Sequence, residues 1–258
     1  MNFRLPHMPE RPAQPRENGL TMVMDKGLSL REAEDLCDVA APYCDLIKLG
    51  FGTSLITGKL LDKVKLYKSA GLKPYFGGTL FEAFAVRGMI DDYRRYLDQF
   101  DMEVVEVSDG VMELDHALKC KYISDFSKNY TVLSEVGTKL KGKEISNDKW
   151  IAFMQTEIEA GAWKVIAEAR ESGNMGIYND DGSANFELIL SIKKAVDPSV
   201  ILWEAPLKNQ QVWFIKLLGP NVNLGNIATN EIIPLETLRL GLRGDTLLSF
   251  LPCELLKQ

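Results

Sequence analysis

The residues Leu20–Ala41, LTMVMDKGLSLREAEDLCDVAA, decide how the rest of the chain is read. They hold a short apolar run (Leu20–Asp25), a charged turn (Asp25-Lys26-Gly27) and an amphipathic stretch behind Ser29. Ser29 with Glu32 three residues later makes a capping box, in which each side chain satisfies a free backbone N–H at the helix start. The segment therefore predicts a strand, a loop and a helix running toward Ala41.

Outward from this unit the same order recurs. Further strands are expected at Asp45–Gly50, Lys73–Gly77, Val104–Ser108, Tyr130–Val136, Lys164–Ala169, Val200–Ala205 and Val222–Ile227. Their middles are nearly all apolar and do not alternate, as in parallel strands buried on both faces. Helical patterns follow each one: Gly58–Ala70 opened by Thr57, Glu82–Arg87, Ile90–Phe100, Asp115–Asn129, a helix capped by Asn147 or Asp148, Phe186–Val196, Asn209–Leu218 and Leu235–Leu242. Eight such units in roughly 230 residues match the count and size of an α/β (β/α)8 TIM barrel. An open doubly wound sheet usually carries a Gly-rich phosphate loop after its first strand, and no G-x-G-x-x-G or Walker sequence occurs here. One barrel domain is expected over residues 20–250, with an arm over 1–19 and a tail over 251–258. Pro6, Pro9, Pro12 and Pro15 give the arm the spacing of an extended polyproline II segment. A solvated tail is the plain reading; docking on its own barrel or on a neighbouring subunit is the other.

Composition narrows the function. Of 258 residues, 46% are hydrophobic and 26% charged, which suits a folded globular chain. The net charge of −6 argues against a nucleic-acid surface. With only His7 and His116, histidine-rich zinc sites are excluded, and a histidine triad would have to use one of these two. Cys37, Cys44, Cys120 and Cys253 form no C-x-x-C pair, so free thiols in a reducing, cytoplasmic setting are expected. No apolar run is long enough for a membrane span, and no signal peptide is visible.

Barrel chemistry sits at the C-terminal strand ends. Those ends carry Asp25 and Lys26, Lys48, Gly77-Gly78-Thr79 with Glu82 beyond, Glu106 with Ser108 and Asp109, Glu135, Glu168 with Arg170 to Ser172, Glu204, and Asn223 with Asn226. Glu106, Glu135, Glu168 and Glu204 each lie inside an apolar run on four consecutive strands. Converging carboxylates need lysine, arginine or a divalent cation to offset their desolvation and mutual repulsion. Oxygen-only ligands suit Mg²⁺. The alternative is a set of salt bridges that only hold neighbouring strands in register. The amides of Gly77-Gly78 and Gly225-Asn226, and the amide side chains of Gln210, Gln211 and Asn226, offer donors to anionic oxygens. Alternatively, Gly225 only relieves crowding. Residue chemistry alone points to an anion-binding, Mg²⁺-assisted barrel enzyme with lysine as proton carrier.

Nine segments resemble the phosphosulfolactate synthase family: Gly19–Gly27, Asp45–Ser54 (DLIKLGFGTS), Gly77–Glu82 (GGTLFE), Val105–Gly110 (VEVSDG), Leu133–Lys139 (LSEVGTK), Glu159–Tyr178 (EAGAWKVIAEARESGNMGIY), Glu204–Gln211 (EAPLKNQQ), Gly219–Ile227 and Leu235–Thr246. The chain is similar also to plant heat-stress-associated proteins. The resemblance implies a (β/α)8 barrel that adds sulfite to phosphoenolpyruvate with Mg²⁺, giving (2R)-phosphosulfolactate, which enters coenzyme M synthesis in methanogens. It implies Lys139, the lysine of the E-V-G-x-K segment, as the acid that protonates C2. Lys26, Lys48 and Arg170 are then candidates for the anionic groups. Asp25, Glu106, Glu135 and Glu168 are candidates for the metal, and Gly78, Thr79, Ser108, Gln210, Gln211, Asn223 and Asn226 for substrate. Phosphoenolpyruvate and sulfite are the expected partners, with no nucleic acid and no membrane, and a homo-oligomer is expected. A lysine Schiff-base aldolase-like enzyme, a non-catalytic barrel and a synthase using another nucleophile are the rival readings.

Overall fold

The computed structural model describes residues 3–137 and 145–257. Its eight strands are β1 (Thr21–Asp25), β2 (Leu46–Leu49), β3 (Lys73–Phe76), β4 (Val104–Val107), β5 (Thr131–Val136), β6 (Lys164–Ala167), β7 (Ile201–Glu204) and β8 (Leu224–Ala228). They alternate with α1 (Leu30–Ala40), α2 (Leu60–Ser69), α3 (Gly78–Ala85) and α4 (Ile90–Gln99) both after β3, α5 (His116–Phe126), α6 (Asn147–Glu159), α7 (Phe186–Ala195), α8 (Lys208–Leu218) and α9 (Ile232–Arg239). All strand pairs are parallel, in the order β3-β2-β1-β8-β7-β6-β5-β4. The sheet curls until β3 and β4 face each other across a seam, giving a nearly closed (β/α)8 TIM barrel.

Two apolar layers follow from the two-residue period of a strand. Met22, Leu46, Tyr75, Val104, Leu133, Ile166 and Leu202 fill the barrel interior. Their neighbours Val23, Ile47, Phe76, Val105, Val132, Val165 and Trp203 face the helices. The helix starts refine the sequence expectation. Ser29 and Glu32 do form the capping box. Ser146, not Asn147 or Asp148, caps α6. Lys59 in left-handed backbone precedes α2, without the Thr57 cap. Helix α3 begins at Gly78, four residues ahead of the expected Glu82, and this brings its first turn to the barrel mouth.

The arm has no helix or strand from residue 3 to 19. It is nevertheless not a solvated tail between Arg11 and Arg16. The Arg11 guanidinium pairs with Glu236 at 2.9 Å, and Arg16 pairs with Asp45 at 2.9 Å. Asp45 in turn accepts from the backbone N–H of Thr21 at the start of β1. The arm thus crosses the N-terminal end of the barrel, opposite the mouth. Arg239, wholly buried there, donates to the carbonyls of Leu20, Pro220 and Val222. Burial, with Arg11 nearby, lowers its pKa to about 9. Among the described residues, no helix is long and apolar enough to cross a membrane. The four cysteines are free thiols.

The seam explains Gly78. Its N–H donates to Glu106 Oε1 at 2.7 Å, joining the end of β3 to β4 where no strand ladder does. A Cβ at position 78 would stand 2.1 Å from Ser108 Oγ and 2.5 Å from Glu106 Oε1. Gly78→Ala should therefore cost about 1–3 kcal/mol, the usual range for overpacking a tight interior. Gly58→Ala, where no atom lies within 4 Å, should change stability by less than about 0.5 kcal/mol. Urea denaturation of the two variants checks both.

Candidate active site

Two residues beyond the interior apolar positions, the same face turns polar on five of the seven strands. Met22 gives way to Met24, Leu46 to Lys48, Tyr75 to Gly77, Val104 to Glu106, Leu133 to Glu135, Ile166 to Glu168 and Leu202 to Glu204. Asn226 completes the ring from β8. This upper layer forms the floor of the mouth, with one lysine among four glutamates.

Lys48 is the hub. Its Nζ lies 2.9 Å from Glu106, 3.3 Å from Glu135 and 3.6 Å from Glu204, and all four side chains are buried. Burial alone would push the ammonium down. The charges of Glu106, Glu135 and Glu204 outweigh it and hold the Lys48 pKa well above the ordinary lysine range. Lys48 is therefore a fixed cation and a poor proton donor. Tyr75 reaches the same cluster from below, and burial and then the Glu106 charge raise its phenol well above its usual value.

Each glutamate is further held. Glu204 accepts from the N–H of Ala169 at 2.9 Å and from Asn226 Nδ2 at 3.4 Å, while Asn226 also donates to the Ala169 carbonyl. Asn226 adopts left-handed backbone, φ 56°, to make this reach. Glu168 packs against Gly137 and Gly176, where a Cβ would stand 3.0 and 2.7 Å from its Oε2. Glu106 Oε2 makes no hydrogen bond among the described residues.

Above this floor opens a cavity of about 390 Å³, lined by Lys48, Glu204, Asn226, the Gly77–Thr79 turn, Arg170 to Ser172, Met24, Phe51 and Val111. The N-terminus of α3 meets it at Gly78 and Thr79, where the helix dipole favours anions. Loop 108–111 closes one side. It is held by buried Glu82, which accepts from Ser108 Oγ at 2.7 Å, Gly110 N at 3.2 Å and Val111 N at 2.9 Å. Opposite, Lys26 forms an exposed ion pair with Glu171 and stands over the Phe51 ring.

The predicted residues separate accordingly. The structure brings together Lys48, Glu106, Glu135, Glu168, Gly78, Thr79, Arg170 and Asn226, with Lys26 at the rim. Ser108 is buried behind Gly78 with its proton turned to Glu82, so it meets the site indirectly. Asp25 is not a floor residue. It points outward from β1, where Oδ1 accepts from Gly27 N and Leu28 N, and Oδ2 from Tyr67 and Lys63. Asn223 is at the wrong end of the barrel, before β8 begins, bonded to Leu20 N and the carbonyls of Ser199 and Ile201. Gln210 and Gln211 are buried and donate to backbone carbonyls: Gln210 to Gly173 and Gly182, Gln211 to Ala205. Gly225 does relieve crowding, since a Cβ there would stand 2.7 Å from Met22 Cε. Lys139 lies outside the described residues. No group of three or more His, Cys, Asp or Glu among the described residues is arranged to hold a metal ion. Phe51 and Val111 line the mouth without having been singled out, their places after strands two and four being the one pointer to them, whereas Glu171 stood among the charges expected at the end of strand six.

The sequence profile of the (2R)-phospho-3-sulfolactate synthase family matches residues 9–245. The chain belongs to this family. It is 41% identical over 243 residues to phosphosulfolactate synthase of Bacillus subtilis, covering 93% of this chain and 96% of that one. It is 40% identical over 245 residues to the Methanothermobacter thermautotrophicus phosphosulfolactate synthase, covering 93% and 95%. Solved structures share the fold at low identity. The 3-hexulose-6-phosphate synthase of Salmonella typhimurium superposes with a TM-score of 0.54 at 15% identity, over 87% of this chain and 100% of that one. Tryptophan synthase of M. tuberculosis gives 0.51 at 13% identity, over 89% and 94%. Lys48 and the strand glutamates are thus the barrel floor of a phosphosulfolactate synthase family member.

Removing a buried charge from a matched set leaves its partners uncompensated. Lys48→Met should cost about 3–5 kcal/mol in urea denaturation. Lys26→Met, which breaks an exposed pair, should cost less than about 1 kcal/mol. Equal costs for the two would mean the floor charges are not held as described.

Proposed function

We propose that this barrel adds sulfite to C3 of phosphoenolpyruvate to give (2R)-phospho-3-sulfolactate. The observation that carries the reading is the mouth itself. A fixed, charge-rich floor around Lys48 lies under a cavity edged by Arg170 and the first turn of α3, in a chain of the phosphosulfolactate synthase family.

In the reaction the sulfur lone pair of sulfite forms the new C–S bond at C3. The C2=C3 π pair moves onto C2 and into the adjacent carboxylate. A proton then bonds to C2, and the phosphate ester stays intact. Arg170, with its planar fork of donors, suits a carboxylate or phosphate at the cavity wall. The α3 N-terminus at Gly78 and Thr79 suits a second anionic group. Lys48 stays charged throughout and holds Glu106, Glu135 and Glu204 in place. The proton to C2 comes from another lysine, and Lys139 is the residue proposed for it on the family's E-V-G-x-K segment.

Mg²⁺ is proposed as the cofactor on the chemistry of the donors alone, since no three carboxylates converge as a metal site among the described residues. The carboxylates are all-oxygen, and the buried Glu106 Oε2 makes no hydrogen bond among the described residues. Mg²⁺ commonly takes only one or two protein carboxylates and completes its shell with water and substrate oxygens, so a converged trio is not required. Glu106 is the leading candidate, with Glu135 and Glu168 beside it, and Asp25 is excluded by its outward bonds. Bound there, the ion would stabilise negative charge developing on the substrate carboxylate. A cytoplasmic homo-oligomer remains part of the proposal.

The test is ³¹P NMR of the protein with phosphoenolpyruvate, sulfite and Mg²⁺. A new phosphomonoester signal that needs sulfite and disappears with EDTA is expected. An unchanged phosphoenolpyruvate signal from folded protein would contradict the reading. Lys139→Ala should lower turnover at least about 100-fold, as expected for loss of a general acid, while calorimetry still detects phosphoenolpyruvate binding. Retained turnover would reassign the acid.

A further inference from the structure

Lys26 and Glu171 reach toward each other from the loops after β1 and β6, strands separated around the sheet by β8 and β7. Their ion pair therefore runs as a chord over the mouth. Glu171 and Phe51 line the cavity above Lys48. Lys26 lines the adjoining hollow with Gly27, Thr229 and Asn230, and Met24 is common to both spaces. Beneath the Lys26 ammonium lies the Phe51 ring, 6.0 Å away at its centroid. Phe51 is held at φ 56°, a backbone region that bulky side chains seldom occupy and that recurs at ligand clamps. A carboxylate at this rim is chemically out of place, because the site is read as taking anions. Among the described residues, the carboxylate that Lys26 pairs with is Glu171.

We infer that Glu171 is an affinity-setting residue: it occupies Lys26 in place of a substrate oxyanion and is displaced when one enters. The inference rests on the proposed anion-binding role of the mouth. Both side chains are about half exposed, 41% and 50%, so Glu171 regains water at little cost once it leaves. An incoming phosphate or sulfite oxygen replaces the carboxylate on the ammonium, while the Phe51 face keeps Lys26 at the rim. The other charges facing this point are Arg170, Glu32, Lys48 and Glu204. Of these, Lys48 and Glu204 are already bound to each other. The exchange selects for small multiply charged oxyanions, which satisfy Lys26 better than the carboxylate they release.

Inorganic phosphate is the probe, measured by calorimetry at low ionic strength on the full chain. Glu171→Gln should tighten phosphate binding about twofold to fivefold, the range set by breaking an exposed ion pair. In a Lys26→Gln background the same change should have no effect, because there is no longer a lysine to compete for. Thermal midpoints should fall by less than about 4 °C, the shift an exposed ion pair can cause in a chain of this size, separating competition from a structural role. An equal gain in both backgrounds would make Glu171 a general field effect and overturn the proposal. So would no gain in either, or no phosphate binding at all. Phosphate binding involves no turnover, so failure of the synthase reading would appear in the ³¹P experiment and not here.

Discussion

A single buried ammonium, that of Lys48, sets the terms for the mouth of this barrel. A lysine without water is unfavourable unless carboxylates replace its hydration, and Glu106, Glu135 and Glu204 do so from β4, β5 and β7. Each of those carboxylates needs its own compensation. Glu106 takes the Gly78 N–H, and Glu204 takes the Ala169 N–H and the Asn226 amide. The ammonium thereby ties β2 to the opposite side of the barrel. It also draws α3 down over the β3–β4 seam, so that the helix start opens onto the cavity. The charge set and the barrel closure depend on each other.

Buried charges outside the barrel wall hold the loops that ring the mouth. Asp25, with Lys63 and Tyr67, fixes the turn after β1 through the N–H groups of Gly27 and Leu28. Lys119 donates to Asp109 after β4 and to the Glu135 carbonyl in β5, and pairs with fully buried Glu157 of α6. Glu157 also accepts from Ser134 and contacts His116. These partners have no access to the cavity, yet they restrict how far its walls can move. Electrostatic preorganisation works only when the charges and donors are fixed before the substrate arrives.

The eight strands and the barrel class were legible because apolar runs separated by capped helices are a strong local signal. The glutamates were legible too, since a carboxylate inside an apolar run must find a partner. Parity was not legible. When both faces of a strand are buried, composition does not say which residue points in, so Asp25 resembled a floor residue although its neighbour Met24 faces the mouth. Asn223 failed for a different reason: it precedes the strand, which begins at Leu224, and so lies at the N-terminal end of the barrel, away from the mouth. Gln210 and Gln211 looked like donors for an anion but serve backbone carbonyls. Lys63, Lys119 and Glu157 were invisible because charged helix residues usually face water.

Lys48 is a charged cation bracketed by carboxylates. Nitrogen-15 NMR of the lysine side chains across an alkaline titration tests it directly, with the Lys48 signal assigned by its loss in Lys48→Met. A raised folded-state pKa means that the ion pairs stabilise the protein fully below the free lysine value of ~10.4, and that this stabilisation is lost only as pH climbs through the higher folded value. An ammonium signal that persists above pH ~10.4 is expected. A Lys48 amine that is already neutral near pH 8 would contradict it.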